Sequence, residues 1–433
     1  MEQETINKEM LQLSNEEKIL QKKKQNNVKI YKFYRIFSWD MLFYYAIIYL
    51  FLTIEKKITP AQALQFDAFY IFFKFILEIP CALTIQKMGK RNGLIIANIV
   101  VTIHILFIIF ARNFATLIFS QFLCAYAFSI KSTCETDMLY DSLEHNEKRG
   151  SIFAKIDGKA SGMYYYIDAI SAILSSFLFV INSYLPLVIC FIILLLTFFI
   201  STKFEDIQNK KETTYISEEI KKIKYGFRKI LKSKRLKNLL IFNGLFVGLT
   251  KILQNIRNTE LLEIGVPEQY FGTIFGVMGI ISGIATRNQW RIHKKYRNRT
   301  LSVLALPTTF SCLISGFILL SNFSYEVKFR VLLIMYAIQY IAKGPYYVLI
   351  KRYFNNFTTS EKRIQISTAN SLCENAIASS LIFIASFILE RITIDYTTLI
   401  IGCIFTIAFV LLLDHMRHIV GLKPEEYSSK EIL

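Results

Sequence analysis

The sequence predicts an all-α polytopic membrane protein with twelve transmembrane helices in two six-helix, pseudo-symmetric halves. Apolar residues make up 53% of its 433 positions, and 37 of these positions are Phe. Twelve apolar stretches each approach the roughly 20 residues that a helix needs to cross a bilayer. The lysines and arginines gather between alternate stretches, as expected when successive loops face opposite sides of a membrane.

Each predicted span is an apolar run that ends at a polar or turn-forming segment. In chain order, the spans are 33–54, 66–86, 93–111, 115–140, 158–181, 183–203, 238–262, 269–287, 300–321, 329–351, 366–389 and 393–416.

The basic residues predict the orientation of the chain. With residues at span edges counted in the adjacent loop, 40 of the 51 lysines and arginines fall on the side of both termini and six on the other side. The positive-inside rule then places both termini of a multi-pass cell-membrane protein in the cytoplasm. Contact with an anionic lipid surface accounts for the net charge of +18, so the lipid bilayer is an expected partner and nucleic acid is not.

A polar segment between spans six and seven divides the chain. In that linker, Ile216, Ile220, Ile223 and Phe227 recur at helical spacing among lysines, which predicts a basic amphipathic helix on the inner leaflet. The predicted regions are a cytoplasmic tail 1–32, a six-helix half 33–203, the linker 204–237, a second half 238–416 and a tail 417–433.

The two halves resemble each other weakly. The triplet Glu147-Lys148-Arg149 follows span four, and Glu361-Lys362-Arg363 follows span ten at the equivalent place. Duplicated halves are a common architecture for transporters with a binding site near the membrane midplane.

Ionisable side chains within spans are expensive unless they are paired or face water. They are absent from the interiors of spans three, six, eight and nine, and are concentrated in spans one, four, seven and ten. We therefore expect a central polar cavity that binds substrate or protons. Its candidate residues are Asp40, Lys131, Glu135, Asp137, Lys251, Arg257, Lys343 and Glu374.

Asp40 is the strongest of these candidates, since no basic residue lies three or four positions from it. Desolvation favours the neutral form of such a carboxyl group, which suits reversible protonation. The alternative is an ion pair with a cation on another helix, such as Lys251 or Lys343.

Helical spacing predicts several local contacts. Lys74 lies four residues before Glu78, Lys131 four before Glu135, and Arg257 three before Glu260, so each pair can form on one helix face. The last pair would leave Lys251 as an unpaired cavity cation. The glycines of span eight recur at steps of three and four and predict a face for close helix packing; they are Gly272, Gly276, Gly279 and Gly283.

The segment after span two resembles a cytoplasmic-loop motif of the major facilitator superfamily. One branch of that family writes the motif as E-I-P-T-G-x-x-A-D-x-x-G-R-K, whereas Ala82 and Gln86 here replace its first Gly and its Asp. The resemblance covers about 33–416 and implies a conformational-switch loop. The matching residues are Glu78, Pro80, Gly89, Lys90 and Arg91. Asp141, at the end of span four, is assigned to the same group because it could pair with Arg149, Lys155 or Lys159.

The resemblance implies a secondary transporter of the bacterial efflux-like branch that moves a small organic solute by alternating access. We expect proton-coupled export of a drug or metabolite, an antiporter function, by a monomer without a cofactor or metal. Drug antiport does not follow from motifs, because Gln121 lies near where many antiporters have Arg and Ala172–Phe177 lacks Gly and Pro.

The residues leave other functions open. Proton-symport uptake of a nutrient is the alternative within transport. A non-transporting membrane sensor or an intramembrane enzyme is more remote, since the five histidines share no site. The sequence has no G-x-x-x-x-G-K-[ST] loop for nucleotide phosphates, so the energy for transport must come from an ion or solute gradient.

Overall fold

A computed structural model describes residues 2–144, 149–207, 216–296, 299–356 and 363–417. The described residues form helices and connecting loops. The helices are α1 Glu2–Ser38, α2 Ile48–Leu50, α3 Pro60–Met88, α4 Lys90–Phe110, α5 Phe114–Ser142, α6 Arg149–Ile181, α7 Leu185–Thr202, α8 Ile216–Lys232, α9 Lys234–Glu263, α10 Phe271–Arg287, α11 Gln289–Tyr296, α12 Thr300–Leu320, α13 Tyr325–Asn356, α14 Arg363–Arg391 and α15 Ile394–His415.

Ten of the described helices are long and apolar enough to cross a membrane, by length and composition. They correspond to ten of the predicted spans, and spans one and ten are the exceptions. Span ten lies within the continuous helix α13, which carries Lys328, Arg330, Lys343 and Lys351 among its apolar residues. Most of the predicted C-terminal tail, residues 418–433, lies outside the described residues, as do Glu147, Lys148, Glu361 and Lys362.

The predicted first span is not one continuous helix. Helix α1 ends at Ser38, residues 39–47 are irregular or turns, and helix resumes at Ile48 before a π-helical turn over Phe51–Glu55. Phe43 adopts a φ of 62°, a left-handed conformation that is unfavourable for an aromatic residue. Irregular backbone at membrane depth is tolerated where it is buried in protein or lines a cavity, so the break marks a candidate site.

Side-chain caps explain where several helices begin. Thr59 caps α3: its hydroxyl accepts a bond from the backbone N–H of Gln62 at 3.2 Å, and the Gln62 side chain accepts one from the backbone of Thr59 at 3.0 Å. Pro60 then occupies the first turn of the helix. Helix α3 therefore starts before the apolar run that predicted span two at 66–86.

The hydrophobic residues form three clusters, which divide the molecule along its length. We call the end with the connection between α7 and α9 the linker end, and the other the opposite end. One cluster joins helices from before and after the linker at the opposite end, including Phe51, Phe66, Phe271 and Tyr336. At the linker end there are two separate clusters. One is built around Tyr34, Cys134 and Phe204 of the first part. The other consists mainly of second-part residues such as Phe246, Tyr346 and Phe409, and it extends toward the opposite end, where Leu64, Ala68 and Ile71 of α3 join it.

Helices α6 and α10 also pack more closely at the opposite end than further along α10. A Cβ added at Gly272 would lie 1.9 Å from the carbonyl oxygen of Ala172, so glycine is required for this close approach. The Gly272 N–H donates to Ser176 Oγ at 2.7 Å. Further along α10, a Cβ at Gly279 or Gly283 would meet nothing within 4 Å. The predicted glycine face is thus a packing surface at Gly272 and Gly276, but not at its other two members.

The predicted basic linker helix is present as α8. Ile230, which is 1% exposed, belongs to the cluster of the second part, and Phe227 packs against that cluster. Leu231 is exposed. The end of α8 therefore packs on the helical bundle and leaves an apolar side chain outside it.

Candidate functional site

Asp40 lies at the break in the first span. Its Oδ1 accepts hydrogen bonds from the backbone N–H of Met41 at 3.0 Å and from the Tyr45 hydroxyl at 2.8 Å. Among the described residues no basic nitrogen lies within the 4.0 Å of an ion pair with it, although Lys131 and Lys251 are within electrostatic range. The alternative prediction of a direct pair with Lys251 or Lys343 is not met in this structure.

Glu135 on α5 is the centre of a buried ion network that holds α1 in place. It accepts a hydrogen bond from Arg35 Nη1 and lies 3.8 Å from Lys131 Nζ, the predicted partner four residues earlier. Arg35 also contacts Asp157 on α6 at 3.2 Å and stacks 4.0 Å from the Trp39 ring centroid. Buried charges of this kind require partners, so the network positions the helix that leads to Asp40.

Arg35 is a site residue that the sequence analysis missed. It falls within the apolar run of span one, five residues before Asp40, near the end of that run that adjoins the N-terminal tail. A basic residue inside an apolar run, upstream of a carboxylate, is the signal that could have identified it.

Arg257 and Glu260 of α9 do not form the predicted pair. No ion pair joins them among the described residues, because each finds a partner on another helix. Arg257 Nη1 donates to Gln339 Oε1 on α13 at 2.7 Å. Glu260 accepts hydrogen bonds from the hydroxyls of Tyr336 at 2.7 Å and Thr398 at 3.0 Å. Neutral donors thus bind the carboxylate of Glu260, and Arg257 has no carboxylate within 4.0 Å among the described residues.

Three cations lie close together on α9 and α13. Lys343 is within electrostatic range of Lys251 and Arg257. The Tyr340 ring has Arg257 Cζ at 4.8 Å from its centroid and Lys343 Nζ at 5.7 Å. In the part of the chain that the structure describes, none of the three cations has a carboxylate within 4.0 Å.

One face of α9 joins the two parts of the chain. Lys251, Asn255 and Thr259 recur every four residues, so they share a face. Asn255 Nδ2 donates to Asp67 on α3 at 2.7 Å, and the Thr259 hydroxyl lies 2.5 Å from that of Tyr49 on α2. These bonds tie the parts together at the opposite end and direct Lys251 toward the first part.

Glu374 on α14 lies near two charged residues of α3. Its Oε2 accepts a hydrogen bond from Asn243 at 2.6 Å, and it is within electrostatic range of Lys74 and Glu78. Among the described ion pairs, Lys74 and Glu78 do not approach within 4.0 Å of each other, so their predicted pairing is not observed. All three groups lie where α3 and α14 pack together.

The predicted switch loop is held by helix ends. Pro80 lies inside α3, and Gly89, with a φ of 81°, separates α3 from α4. A side chain is strained at that φ, so glycine is favoured in this turn. Lys90 Nζ contacts Asp141 at 2.6 Å and Asp137 at 3.4 Å.

Arg91 and Asp137 of this region both have their partners at the linker end. Arg91 donates to the backbone carbonyls of Phe204 at 2.5 Å and Thr202 at 3.0 Å, at the end of α7. Asp137, predicted to line the cavity, lies instead with Lys90 at the linker end. Asp141 also lies 4.0 Å from Arg149, one of its predicted partners.

Comparison with known proteins gives a consistent picture. The profile of the Major Facilitator Superfamily matches residues 33–327, and no curated protein matches the sequence. The fold is similar to that of the nucleoside transporter NupG, with a TM-score of 0.71, 11% identity, and coverage of 92% of this chain and 99% of that one.

Two further solved structures are similar. A peptide transporter POT in complex with sulfate has a TM-score of 0.66 and 11% identity, covering 92% of this chain and 95% of its own. A POT family transporter in complex with 5-aminolevulinic acid has a TM-score of 0.64 and 14% identity, covering 90% and 95%. The TM-scores establish a shared fold with these proteins in spite of the low sequence identity.

Proposed function

The chain belongs to the Major Facilitator Superfamily, and from this membership we propose that it is a proton-coupled exporter of a small organic solute. It is a multi-pass membrane transporter and not an enzyme. We further propose that it acts as a monomer in the cell membrane, with both termini in the cytoplasm as the basic residues favour.

The proposed architecture has twelve spans in two halves, 33–203 and 238–416, joined by the linker 204–237. The broken segment around α2 and the polar helix α13 supply the first and tenth spans. Separate hydrophobic clusters at the linker end, against one shared cluster at the opposite end, support two bodies that rock about the site between them. In this orientation the linker end faces the cytoplasm.

The environment of Asp40 is the observation that supports proton coupling. It sits where the first span is broken, and broken helices in transporters bring polar groups to a midplane site. Its bonds come from a backbone N–H and a tyrosine hydroxyl. Neutral donors leave a carboxylate able to gain and lose a proton without breaking an ion pair. We therefore assign the coupling proton to Asp40.

Membrane vesicles of known orientation test the direction of transport. Inside-out vesicles with an acid interior are exposed to a panel of small organic solutes while a pH-sensitive dye reports on the interior. A solute exported in exchange for protons should relieve the dye quench. Symport uptake would instead acidify the interior of right-side-out vesicles when solute is added. If no solute moves protons in either preparation, proton coupling is wrong.

Asp40→Asn tests the assigned residue with the solute found in this way. We expect it to abolish proton-driven transport and to retain counterflow exchange, because exchange needs only binding and rocking. Asp395→Asn, at the start of α15, is the control and should leave both rates unchanged. Full pH-dependent transport by Asp40→Asn would exclude Asp40 from the coupling mechanism.

A further inference from the structure

We propose that the transported solute carries an anionic group, a carboxylate, phosphate or sulfonate, that binds between α9 and α13. We call this place the cationic seam and define it by Lys251, Arg257, Tyr340 and Lys343. The inference rests on the proposed transport function and names the chemical class of its substrate.

Arg257 provides the central observation. Its side chain is 2% exposed, and Nη1 is used by Gln339. Its Nε and Nη2 are buried and have no hydrogen-bond partner in the described structure. Nε–H and the neighbouring Nη2–H point in parallel from one edge of the guanidinium plane. That edge is the geometry in which arginine binds two oxygens of a carboxylate or phosphate at once.

The two lysines extend the positive charge toward accessible space. Lys251, Tyr340 and Lys343 are half-buried, whereas Arg257 is almost fully buried behind them. The Tyr340 ring lies beside both Arg257 and Lys343, so it supplies an apolar wall next to the cations. A solute with an oxyanion and an organic body fits this combination.

Three cations of the first part have a carboxylate of the protein itself as their partner. Arg35 and Lys131 share Glu135, and Lys90 contacts Asp141. Each of these cations has a carboxylate within 4.0 Å. The seam differs because none of its cations has a carboxylate within 4.0 Å in the described structure. Glu260 is bound by Tyr336 and Thr398, and Asp40, Asp67 and Glu374 lie only within electrostatic range of Lys251.

The cost of holding these cations at membrane depth favours the binding of an external anion. A cation at membrane depth without a contacting carboxylate is unfavourable, and Lys343 is also repelled by Lys251 and Arg257, which lie within electrostatic range of it. An anionic solute would neutralise part of this charge while it is bound. The seam is therefore unfavourable when empty and specific for anions when filled.

Binding to the purified full-length protein in detergent tests the inference. The probes are a panel of carboxylates, phosphates and sulfonates, each measured against its uncharged counterpart, for example benzoate against benzamide and phenyl phosphate against phenol. We expect anionic members to raise the thermal unfolding temperature and uncharged members to have no effect. A panel in which no anionic probe binds, or in which uncharged counterparts bind equally well, overturns the inference.

Variants locate the binding. Arg257→Gln and Lys343→Gln should each weaken binding of the best anionic probe at least about tenfold, because each removes a charged contact of more than about 1.4 kcal/mol. Arg330→Gln, which removes a highly exposed cation of the same helix α13, should not change it. If Arg257→Gln does not fold, Lys343→Gln alone decides, and unchanged affinity there contradicts the seam.

The outcome separates this inference from transport itself. If Lys343→Gln vesicles carry uncharged or cationic solutes at the normal rate, the anion site is wrong and the transporter remains. If anions bind the purified protein through Arg257 and Lys343 but no solute moves protons, the seam stands and proton coupling fails.

Discussion

Arg91 joins two helices through backbone carbonyls and touches no candidate of the central site. Its two hydrogen bonds to the end of α7 involve a charged donor, and such bonds contribute about 1.5–3 kcal/mol when they are buried. With Lys90 bonded to Asp141 on α5, the loop fastens α4 to two neighbours. Its role is therefore in the linker-end arrangement and in the change of state.

Arg91→Ala should accordingly slow transport while leaving affinity for the solute nearly unchanged. It should also lower the unfolding temperature by a few degrees. Binding in detergent and transport in vesicles measure the two effects separately. Arg112→Ala, an exposed arginine in the loop between α4 and α5, is the matched control and should affect neither. A large loss of affinity with normal turnover of bound solute would contradict this role.

For individual residues, the sequence predicted which spans hold charged side chains better than it predicted which groups those side chains contact. Spacing predicted Lys131 beside Glu135, which is confirmed, because both residues lie on one helix. The same reasoning paired Arg257 with Glu260 and failed, because Gln339, Tyr336 and Thr398 on other helices provide better partners. Contacts between helices depend on how each helix is rotated about its axis and on how deep it lies in the membrane. The spacing of residues within one helix reports neither.

Among the elements, α6 and α10 are in close contact along only part of one helix face. They touch at Gly272 and separate before Gly279 and Gly283. The glycine pattern predicted a contact surface because spacing of three and four marks one face. It could not predict which part of that face is in contact, since this depends on how the two helices cross.

Gly272→Ala and Gly279→Ala should change stability in opposite directions. The first places a methyl group 1.9 Å from a backbone oxygen, so the helices must move apart at a cost of about 1–3 kcal/mol. The second adds a methyl group where nothing lies within 4 Å, and alanine favours helix over glycine by about 1 kcal/mol. Thermal unfolding in detergent measures both. Equal unfolding temperatures for the two variants would show that the close contact at Gly272 does not form.

The break in the first span could not be predicted from the sequence. Residues 33–54 are apolar throughout most of their length, and such a run predicts helix. Neither Gly nor Pro marks the break, and Phe43 adopts its left-handed φ inside a packed bundle. Tertiary packing overrides local preference here, at a segment that also holds Asp40. Backbone strain of this kind commonly accompanies functional sites.

At the scale of the whole molecule, the hydrophobic clusters hold the two parts of the chain together at one end and leave them less connected at the other. This difference determines the side of the membrane from which the site can be reached. Bonds such as Tyr49 with Thr259 and Asp67 with Asn255 close the opposite end. The separate clusters at the linker end leave the two parts less connected there. Which compartment the linker end faces follows only from the distribution of basic residues, so the orientation needs its own test.

Two cysteine variants determine this orientation. Lys224→Cys lies exposed on α8 at the linker end, and Asn322→Cys lies exposed in the loop between α12 and α13. An impermeant thiol reagent should label Asn322→Cys on intact cells, because that loop belongs to the side poor in basic residues. It should label Lys224→Cys only after permeabilisation. The unsubstituted chain, with its seven native cysteines, gives the background. The reverse pattern would place the closed end in the cytoplasm, and this structure would then be the conformation open to the outside.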